Sequence, residues 1–224
     1  MKLILITPDK INHSHYSILK DTLNYIDKLH IKLDENWETL ILHLENINPL
    51  LNEGQRNQLA IHINEKLFAN QQISHIEDAL KYLQRNFDIH NLHFSENFYD
   101  VYGSIISPEL YHQFNVSVSL HHLDFLEHHN HFSYVLYGPV FPSISKANYH
   151  PKLSMQEMKN KLKHIAESIE IPVIAIGGIT TNNFNELIQA GFEGIALRGF
   201  IWESSHPLET LKKFTDQWQK IKDQ

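Results

Sequence analysis

The chain has 224 residues, and its 26 acidic against 19 basic side chains give a net charge of −7, which argues against a nucleic-acid partner because phosphate-rich surfaces attract basic proteins. The absence of Cys excludes disulfides, thiolate zinc sites, iron–sulfur clusters and cysteine nucleophiles. No apolar run reaches the length of a membrane span, and Pro8 interrupts the N-terminal run too early for a secretory signal, so we expect a cytoplasmic protein with no membrane partner.

Short β-rich runs alternate with segments of helical periodicity along the whole chain. In chain order the predicted strands are Leu3–Thr7, Lys28–Leu33, Leu59–Ile63, Asn91–Phe94, Val116–Leu120, Tyr134–Tyr137, Val173–Ile176 and Gly194–Leu197. Ser74 and Ser154 each begin a capping-box pattern before a predicted helix, and a last apolar stripe predicts a closing helix near Leu208–Lys220. No linker-like segment interrupts this alternation, so residues 1–224 are predicted to form one domain.

The pattern of the strands indicates their arrangement. Val173–Ile176 is apolar without alternation, which is typical of a strand buried on both faces of a parallel sheet. Eight strand and helix units can close into a (β/α)8 TIM barrel, whereas an open doubly wound sheet of this length usually has fewer strands. We therefore predict a barrel with its reacting groups at the carboxyl ends of the strands.

Two glycine turns follow the last two predicted strands. Gly177 and Gly178 come directly after the seventh strand, and Arg198 and Gly199 follow the eighth. Residues without a Cβ let backbone N–H groups approach an anion closely, although two glycines after a strand also form ordinary tight turns. The second glycine turn, with a permanent cation beside it, favours a phosphate site.

The loop after the sixth strand is the second candidate segment. Ser143, Ser145 and Lys146 follow a stretch rich in Pro and could hold a phosphate or a diphosphate. An ordinary solvated surface loop would have the same composition.

Three segments resemble the thiamine-phosphate synthase and TenI (thiazole tautomerase) family: Tyr137–Lys146, Ile171–Thr180 and Ala190–Leu197. The resemblance implies a (β/α)8 barrel enzyme of thiamine biosynthesis that binds a small phosphorylated thiazole. By the same resemblance, Gly177, Gly178 and Gly199 hold the phosphate. Arg198 stands where the family usually has a small or apolar residue, and from their charge we expect Arg198 beside the phosphate and Lys146 closing over it. The sequence leaves open whether the chain forms a homodimer.

The synthase branch of this family joins an aminopyrimidine diphosphate to the thiazole phosphate, releases pyrophosphate and requires Mg²⁺. Its motifs in the second and third strands correspond to Lys32, Asn64 and Glu65, so Glu65 is the expected metal ligand if this protein is a synthase. Two departures weaken this interpretation: Asp34 replaces a cation, and Phe98 replaces a metal-binding Asp. Glu96 stands nearby as a substitute carboxylate.

The tautomerase branch shifts a proton on a dihydrothiazole ring and needs no metal or other cofactor. Its motif after the fifth strand corresponds to Ser119 and His121, which assigns His121 the acid/base role and places Ser119 at the substrate. A loop histidine without function is the alternative for His121. The sequence favours a TenI-like tautomerase, with the synthase as the alternative and a barrel that only binds thiazole phosphate as the third interpretation.

Overall fold

The structure is a computed structural model that describes residues 1–8, 10–33, 36–68, 73–104, 106–128, 131–143 and 150–222. Of residues 73–75, 125, 127, 128 and 222 it describes the backbone alone. Asp34, Ser145 and Lys146, which the sequence analysis placed at the candidate site, lie outside the described residues.

Eight parallel strands form a closed barrel in which each strand pairs with its neighbours in chain order. The strands are β1 (Lys2–Ile6), β2 (Lys28–Ile31), β3 (Leu59–Ile63), β4 (Asn91–Phe94), β5 (Asn115–Leu120), β6 (Tyr134–Tyr137), β7 (Val173–Ile176) and β8 (Gly194–Leu197). The barrel closes between β1 and β8, whose register aligns Lys2 with Gly194 and Leu5 with Leu197. The predicted (β/α)8 fold is confirmed.

Helices connect the strands and cover the barrel. They are α1 (His13–Thr22), α2 (Trp37–Ile47), α3 (Glu53–Arg56), α4 (Ile73–Phe87), α5 (Glu96–Tyr102), α6 (Pro108–Gln113), α7 (Met155–Ser168), α8 (Phe184–Ala190), α9 (Gly199–Trp202) and α10 (Pro207–Lys222). Short 3-10 helices occupy Asn48–Leu50, Glu65–Phe68 and Leu123–His128. Within the part of the chain that is described, no helix is long and apolar enough to cross a membrane.

The two predicted capping boxes have different outcomes. Ser154 caps α7 as predicted, because its side chain accepts a hydrogen bond from the N–H of Glu157 and the Glu157 carboxylate accepts one from the N–H of Ser154. The prediction of a capping box at Ser74 is wrong, since α4 already includes Ile73 and Ser74 therefore lies inside the helix rather than before it. The Glu77 carboxylate instead accepts a hydrogen bond from the N–H of Ser107 at 2.8 Å.

Strands β1 and β2 end earlier than predicted. β1 stops at Ile6 and β2 at Ile31. Beyond these residues the side chain of Thr7, rather than backbone pairing, provides the hydrogen bonds between the two segments. Thr7 Oγ1 donates to the carbonyl oxygen of Lys32 at 3.1 Å and accepts from the N–H of Lys32 at 3.0 Å. This bridge fixes Lys32 at the carboxyl end of the barrel.

The inside of the barrel has an apolar half and a polar half. The apolar half comes from β1, β6, β7 and β8 and contains Ile4, Ile6, Tyr134, Leu136, Ile174 and Ala196. The polar half comes from β2 to β5 and contains the buried side chains of His30, His62, His93 and Ser117. The outer faces of the strands pack against the helices in a separate, larger apolar cluster. Because buried polar groups need hydrogen-bond partners, the polar half requires a specific network.

Candidate active site

A cavity of about 290 Å³ opens at the carboxyl ends of the strands. Most of the predicted site residues line it, namely Lys32, Asn64, Ser119, His121, Ser143, Gly177, Gly178, Arg198 and Gly199. Glu65 does not line the cavity, although its carboxylate accepts a hydrogen bond at 3.3 Å from Ser95, which does. The structure thus brings the candidate residues of six different strand ends to one place, where parallel barrels carry their ligand sites.

The turn after β7 requires its two glycines. Gly177 has φ of 102° and Gly178 has φ of 66°, both in the left-handed region that side chains disfavour. A Cβ at Gly178 would lie 2.4 Å from the carbonyl oxygen of Pro142, and one at Gly177 would lie 2.8 Å from Cα of Pro139. The turn therefore packs its backbone directly against the loop after β6.

Asn183 holds this turn in place. Its side-chain N–H donates to the carbonyl oxygen of Gly178 at 3.0 Å, and its side-chain oxygen accepts from the N–H of Thr180 at 2.8 Å. The sequence alone does not indicate a role for Asn183 at the site. The spacing from Thr180 to Asn183 is the signal that could have indicated it, since Asn side chains commonly bond backbone groups a few residues away in turns.

Arg198 is fixed between β8 and β1. Its Nε donates to the carbonyl oxygen of Thr7 at 3.3 Å, and the indole N–H of Trp202 donates to the carbonyl oxygen of Ile6 at 2.6 Å. Burial lowers the pKa of the Arg198 guanidinium from its ordinary value, and the nearby Glu203 raises it in part. An arginine stays protonated in such surroundings, so the cavity gains a positive charge next to Gly199.

His121 lies at the end of β5 with a defined orientation. Its Nδ1 is 2.8 Å from the carbonyl oxygen of Gly138, and because a carbonyl only accepts, Nδ1 carries the proton. Nε2 therefore holds the lone pair in the neutral ring and lies 3.7 Å from the nearer carboxylate oxygen of Glu96. The Glu96 carboxylate also accepts from the N–H of His121 at 3.1 Å. This arrangement suits a group that accepts and returns a proton.

Lys32 and Asn64 come from neighbouring strand ends but have different surroundings. Lys32 lines the cavity, whereas the side chain of Asn64 bonds the backbone around it. Asn64 donates to the carbonyl oxygen of Leu33 at 3.1 Å and accepts from the N–H groups of Lys66 at 3.0 Å and Leu67 at 3.2 Å. These contacts shape the end of β3 and leave Asn64 one side-chain N–H for a ligand.

Two carboxylates flank Ser95 near the ends of β3 and β4. Glu65 accepts from the Ser95 hydroxyl, and Glu96 lines the cavity beside it. Carboxylate oxygens are the ligands that Mg²⁺ prefers, so Glu65 and Glu96 fit the ion by their chemistry. Phe98 does not contribute, because its ring is fully buried against Phe94, with the ring centroids 5.1 Å apart.

A cluster of three histidines forms the polar half of the barrel interior, where the sequence analysis assigned no function. His30 Nδ1 lies 2.8 Å from His62 Nε2, and the rings of His62 and His93 are 4.2 Å apart. The signal was present in the strands: each histidine stands two positions before a cavity residue, Lys32, Asn64 or Ser95. Residues two apart in a strand share a face, so the three rings had to meet below the cavity.

Burial makes these histidines sensitive to acid. Burial is the main cause that lowers the pKa of His30 to about 3 and the pKa values of His62 and His93 well below the ordinary 6.5. The folded protein keeps all three rings neutral, whereas the unfolded chain takes up protons below about pH 6.5. Their effect on stability is therefore absent above pH 6.5 and becomes destabilising as the pH falls towards 3.

We expect the free energy of unfolding to drop by roughly 1 kcal/mol per histidine between about pH 7 and pH 5.5. Urea unfolding at the two pH values, in buffer with a chelator, measures this loss. A His122→Ala variant should lose the same amount, since His122 is exposed. An unchanged unfolding midpoint would contradict the burial of neutral rings.

The fold and the site define a (β/α)8 barrel with a polar cavity and paired glycine turns at the ends of β7 and β8. A family model described as "Thiamine monophosphate synthase" (TMP-TENI) matches residues 63–201. The chain belongs to this family, as the sequence predicted.

Relatives in this family match part of the chain. A thiamine-phosphate synthase of Streptococcus suis is 35% identical over 88 residues, which are 39% of this chain and 37% of the relative. A thiamine-phosphate synthase of Methanobrevibacter smithii is 36% identical over 74 residues, which are 33% of each protein. These matches span about a third of the length of the relatives.

Two solved structures have folds similar to that of this chain over the whole barrel. The thiamine phosphate pyrophosphorylase of Bacteroides thetaiotaomicron has a TM-score of 0.70 and 21% identity, with 100% of this chain and 98% of that chain covered. The corresponding protein of Pyrococcus furiosus has a TM-score of 0.67 and 16% identity, with 98% and 96% covered. At these identities the structures support the fold alone.

Proposed function

We propose that the protein is a thiamine-phosphate synthase, an enzyme that joins an aminopyrimidine diphosphate to a thiazole phosphate and releases pyrophosphate. The observation that carries this proposal is a cavity with two polar regions. One is formed by the glycine turns and Arg198, and the other by Lys32 and Glu96 at the ends of β2 and β4. Two anionic substrates require two such regions, whereas a tautomerase substrate needs one.

This proposal reverses the preference that the sequence alone gave. Asp34 and Phe98 favoured the tautomerase, because both depart from the synthase pattern. The names of the matched relatives favour the synthase instead. The carboxylate of Glu96, which lines the cavity, offsets the loss of an acid at Phe98.

In this proposal the thiazole phosphate binds at β7 and β8. Backbone N–H groups around Gly178 and Gly199 donate to the phosphate oxygens, and Arg198 supplies the positive charge. Ser143 lines the same cavity, and Ser145 and Lys146 follow it in the sequence on a loop suited to close over the ligand. Charge-assisted hydrogen bonds of this kind are the strong ones in phosphate sites.

The diphosphate binds at the other polar region. Lys32, whose backbone is held by the Thr7 bridge, contributes a cation, and Glu65 and Glu96 would hold Mg²⁺. When bound, Mg²⁺ neutralises charge that builds up on a leaving pyrophosphate.

The tautomerase is the second candidate, and the orientation of His121 favours it. The carbonyl oxygen of Gly138 fixes the proton on Nδ1, so Nε2 is ready to take a proton from a ring bound in the cavity. Such a reaction needs only the thiazole phosphate and no metal.

One assay separates the candidates. Purified protein is supplied with thiazole phosphate and aminopyrimidine diphosphate, with and without Mg²⁺, and separately with the dihydrothiazole tautomer alone. Thiamine phosphate that forms only with Mg²⁺ is the expected result. Conversion of the tautomer alone would establish the second candidate. Binding of thiazole phosphate without either reaction would support a barrel that binds this ligand and has no catalytic activity.

Replacing Lys32 by Met tests the diphosphate region. Losing one hydrogen bond to a charged group removes roughly 1.5–3 kcal/mol, so kcat/KM for the aminopyrimidine diphosphate should fall about 10- to 150-fold. Lys66→Met is the matched control, because Lys66 lies on the next strand end but does not line the cavity. Equal losses in the two variants would refute the assignment of Lys32.

A further inference from the structure

The three histidines inside the barrel converge on one point. One ring nitrogen from each of His30, His62 and His93 lies within 4.8 Å of the others. All three side chains are buried, His30 and His93 completely and His62 with 8% exposed. Among the described residues this is the one group of at least three His, Asp or Glu side chains with such convergence.

Neighbouring side chains already orient the rings. The Ser117 hydroxyl donates to the carbonyl oxygen of Leu92, so it accepts from His93 Nδ1 at 2.8 Å and places the lone pair of His93 on Nε2. His30 Nε2 lies 2.6 Å from the hydroxyl of Tyr134. Outer hydrogen bonds of this kind fix the tautomer and direction of histidines that bind metals.

The geometry points to a new site: we propose that His30, His62 and His93 bind one divalent transition-metal ion, of which Zn²⁺ fits best, at the floor of the cavity. Imidazole nitrogens suit Zn²⁺, Co²⁺ and Ni²⁺, whereas Mg²⁺ prefers oxygen, so this site is distinct from the carboxylates of Glu65 and Glu96. The proposal does not depend on the synthase reaction.

Binding needs only small movements. Ligand nitrogens about 2.0–2.1 Å from a tetrahedral zinc lie roughly 3.3 Å apart. The contact between His30 Nδ1 and His62 Nε2, now 2.8 Å, would open slightly as the ion replaces the proton between them. His93 Nε2 would exchange its 2.8 Å contact with the Ser119 hydroxyl for the metal.

The electrostatics supply neutral ligands and leave one position for an anion. The depressed pKa values of the three rings, caused mainly by burial, keep them deprotonated at neutral pH, as metal binding requires. Lys28 and Lys32 add positive charge near the cluster and oppose a dication. His62 and Ser119 line the cavity, so a fourth ligand, water or an anionic oxygen, can approach from there and offset that charge.

The test uses the full chain without an affinity tag, stripped with a chelator and titrated with Co²⁺ alone. We expect one equivalent to bind with the visible absorption bands of four-coordinate cobalt, and Zn²⁺ to displace it. His62→Gln should weaken this binding at least about 100-fold, since a ligand is lost, and Tyr134→Phe about 10- to 100-fold, since an outer contact is lost. His122→Gln, at an exposed position, should bind like the unchanged protein.

Exposed histidines outside this cluster, such as His122 and His206, can also bind metal, so the location must be measured too. A crystal of the unchanged protein grown with Zn²⁺ should give an anomalous peak between the three rings at the zinc edge, whether or not the variants fold. A peak elsewhere only, no saturable equivalent of Co²⁺, or folded His62→Gln that binds as tightly as the unchanged protein would overturn the proposal.

Discussion

A Gly178→Ala variant is expected to bind thiazole phosphate roughly 100-fold more weakly than the unchanged protein. The new Cβ would lie 2.4 Å from the carbonyl oxygen of Pro142 on a backbone with φ of 66°, so the turn must move. Moving it misdirects the N–H groups that we propose to face the phosphate, and each such charge-assisted bond contributes about 1.5–3 kcal/mol. Titration calorimetry with thiazole phosphate measures the change.

Gly54→Ala is the matched control for this substitution. Gly54 lies in α3, does not line the cavity, and its added Cβ would meet its nearest neighbour, Asn52 Oδ1, at 3.4 Å. Its binding should equal that of the unchanged protein. Circular dichroism of both variants checks the fold. Identical dissociation constants for folded Gly178→Ala and Gly54→Ala would show that the phosphate does not bind at this turn.

A His121→Ala variant should separate the two candidate reactions. If the protein converts the dihydrothiazole tautomer, the variant should do so about 10²–10⁴-fold more slowly, because the group that takes and returns the proton is gone. Formation of thiamine phosphate should change far less, since Glu96 keeps its hydrogen bond from the backbone N–H of residue 121 and the proposed anion contacts use other side chains. Single-turnover rates with each substrate set measure both effects.

His122→Ala controls for a general effect of this segment. His122 is adjacent and exposed, and its Nε2 lies 3.0 Å from Nζ of Lys152. Its removal should leave both rates unchanged. A tautomerisation rate that survives in His121→Ala would refute the acid/base role, and a protein that never converts the tautomer would exclude this candidate altogether.

The strands could be predicted from sequence because their signal is local. Val173–Ile176 has the unbroken apolar run of a strand covered on both sides, and its observed limits equal the predicted ones. The ends of β1 and β2 were predicted too long, because Thr7 and Lys32 meet through a contact between residues 25 positions apart. Such a contact has no periodic trace in the sequence.

In the candidate site, too, features with a local sequence signal were predicted and features formed by distant residues were not. Gly177 and Gly178 were predictable, since glycine pairs after a strand mark a backbone that approaches something closely. The histidine cluster was missed, because its members come from different strands: His30 meets His62 at a separation of 32 residues. Each histidine looks ordinary within its own strand, and only the side-by-side pairing of β2, β3 and β4 makes the three a group.

Thr7 links the segments that carry two cationic side chains, Lys32 and Arg198. Its side chain bonds the backbone of Lys32, and its carbonyl oxygen accepts from Arg198. The backbone of Lys32 and the guanidinium of Arg198 are thus both tied to the end of β1, and strands in a closed barrel cannot slide past one another without breaking the ladder. The closed barrel therefore sets the distance between the backbone positions of Lys32 and Arg198, and with it the separation at which two anions could bind in the proposed reaction.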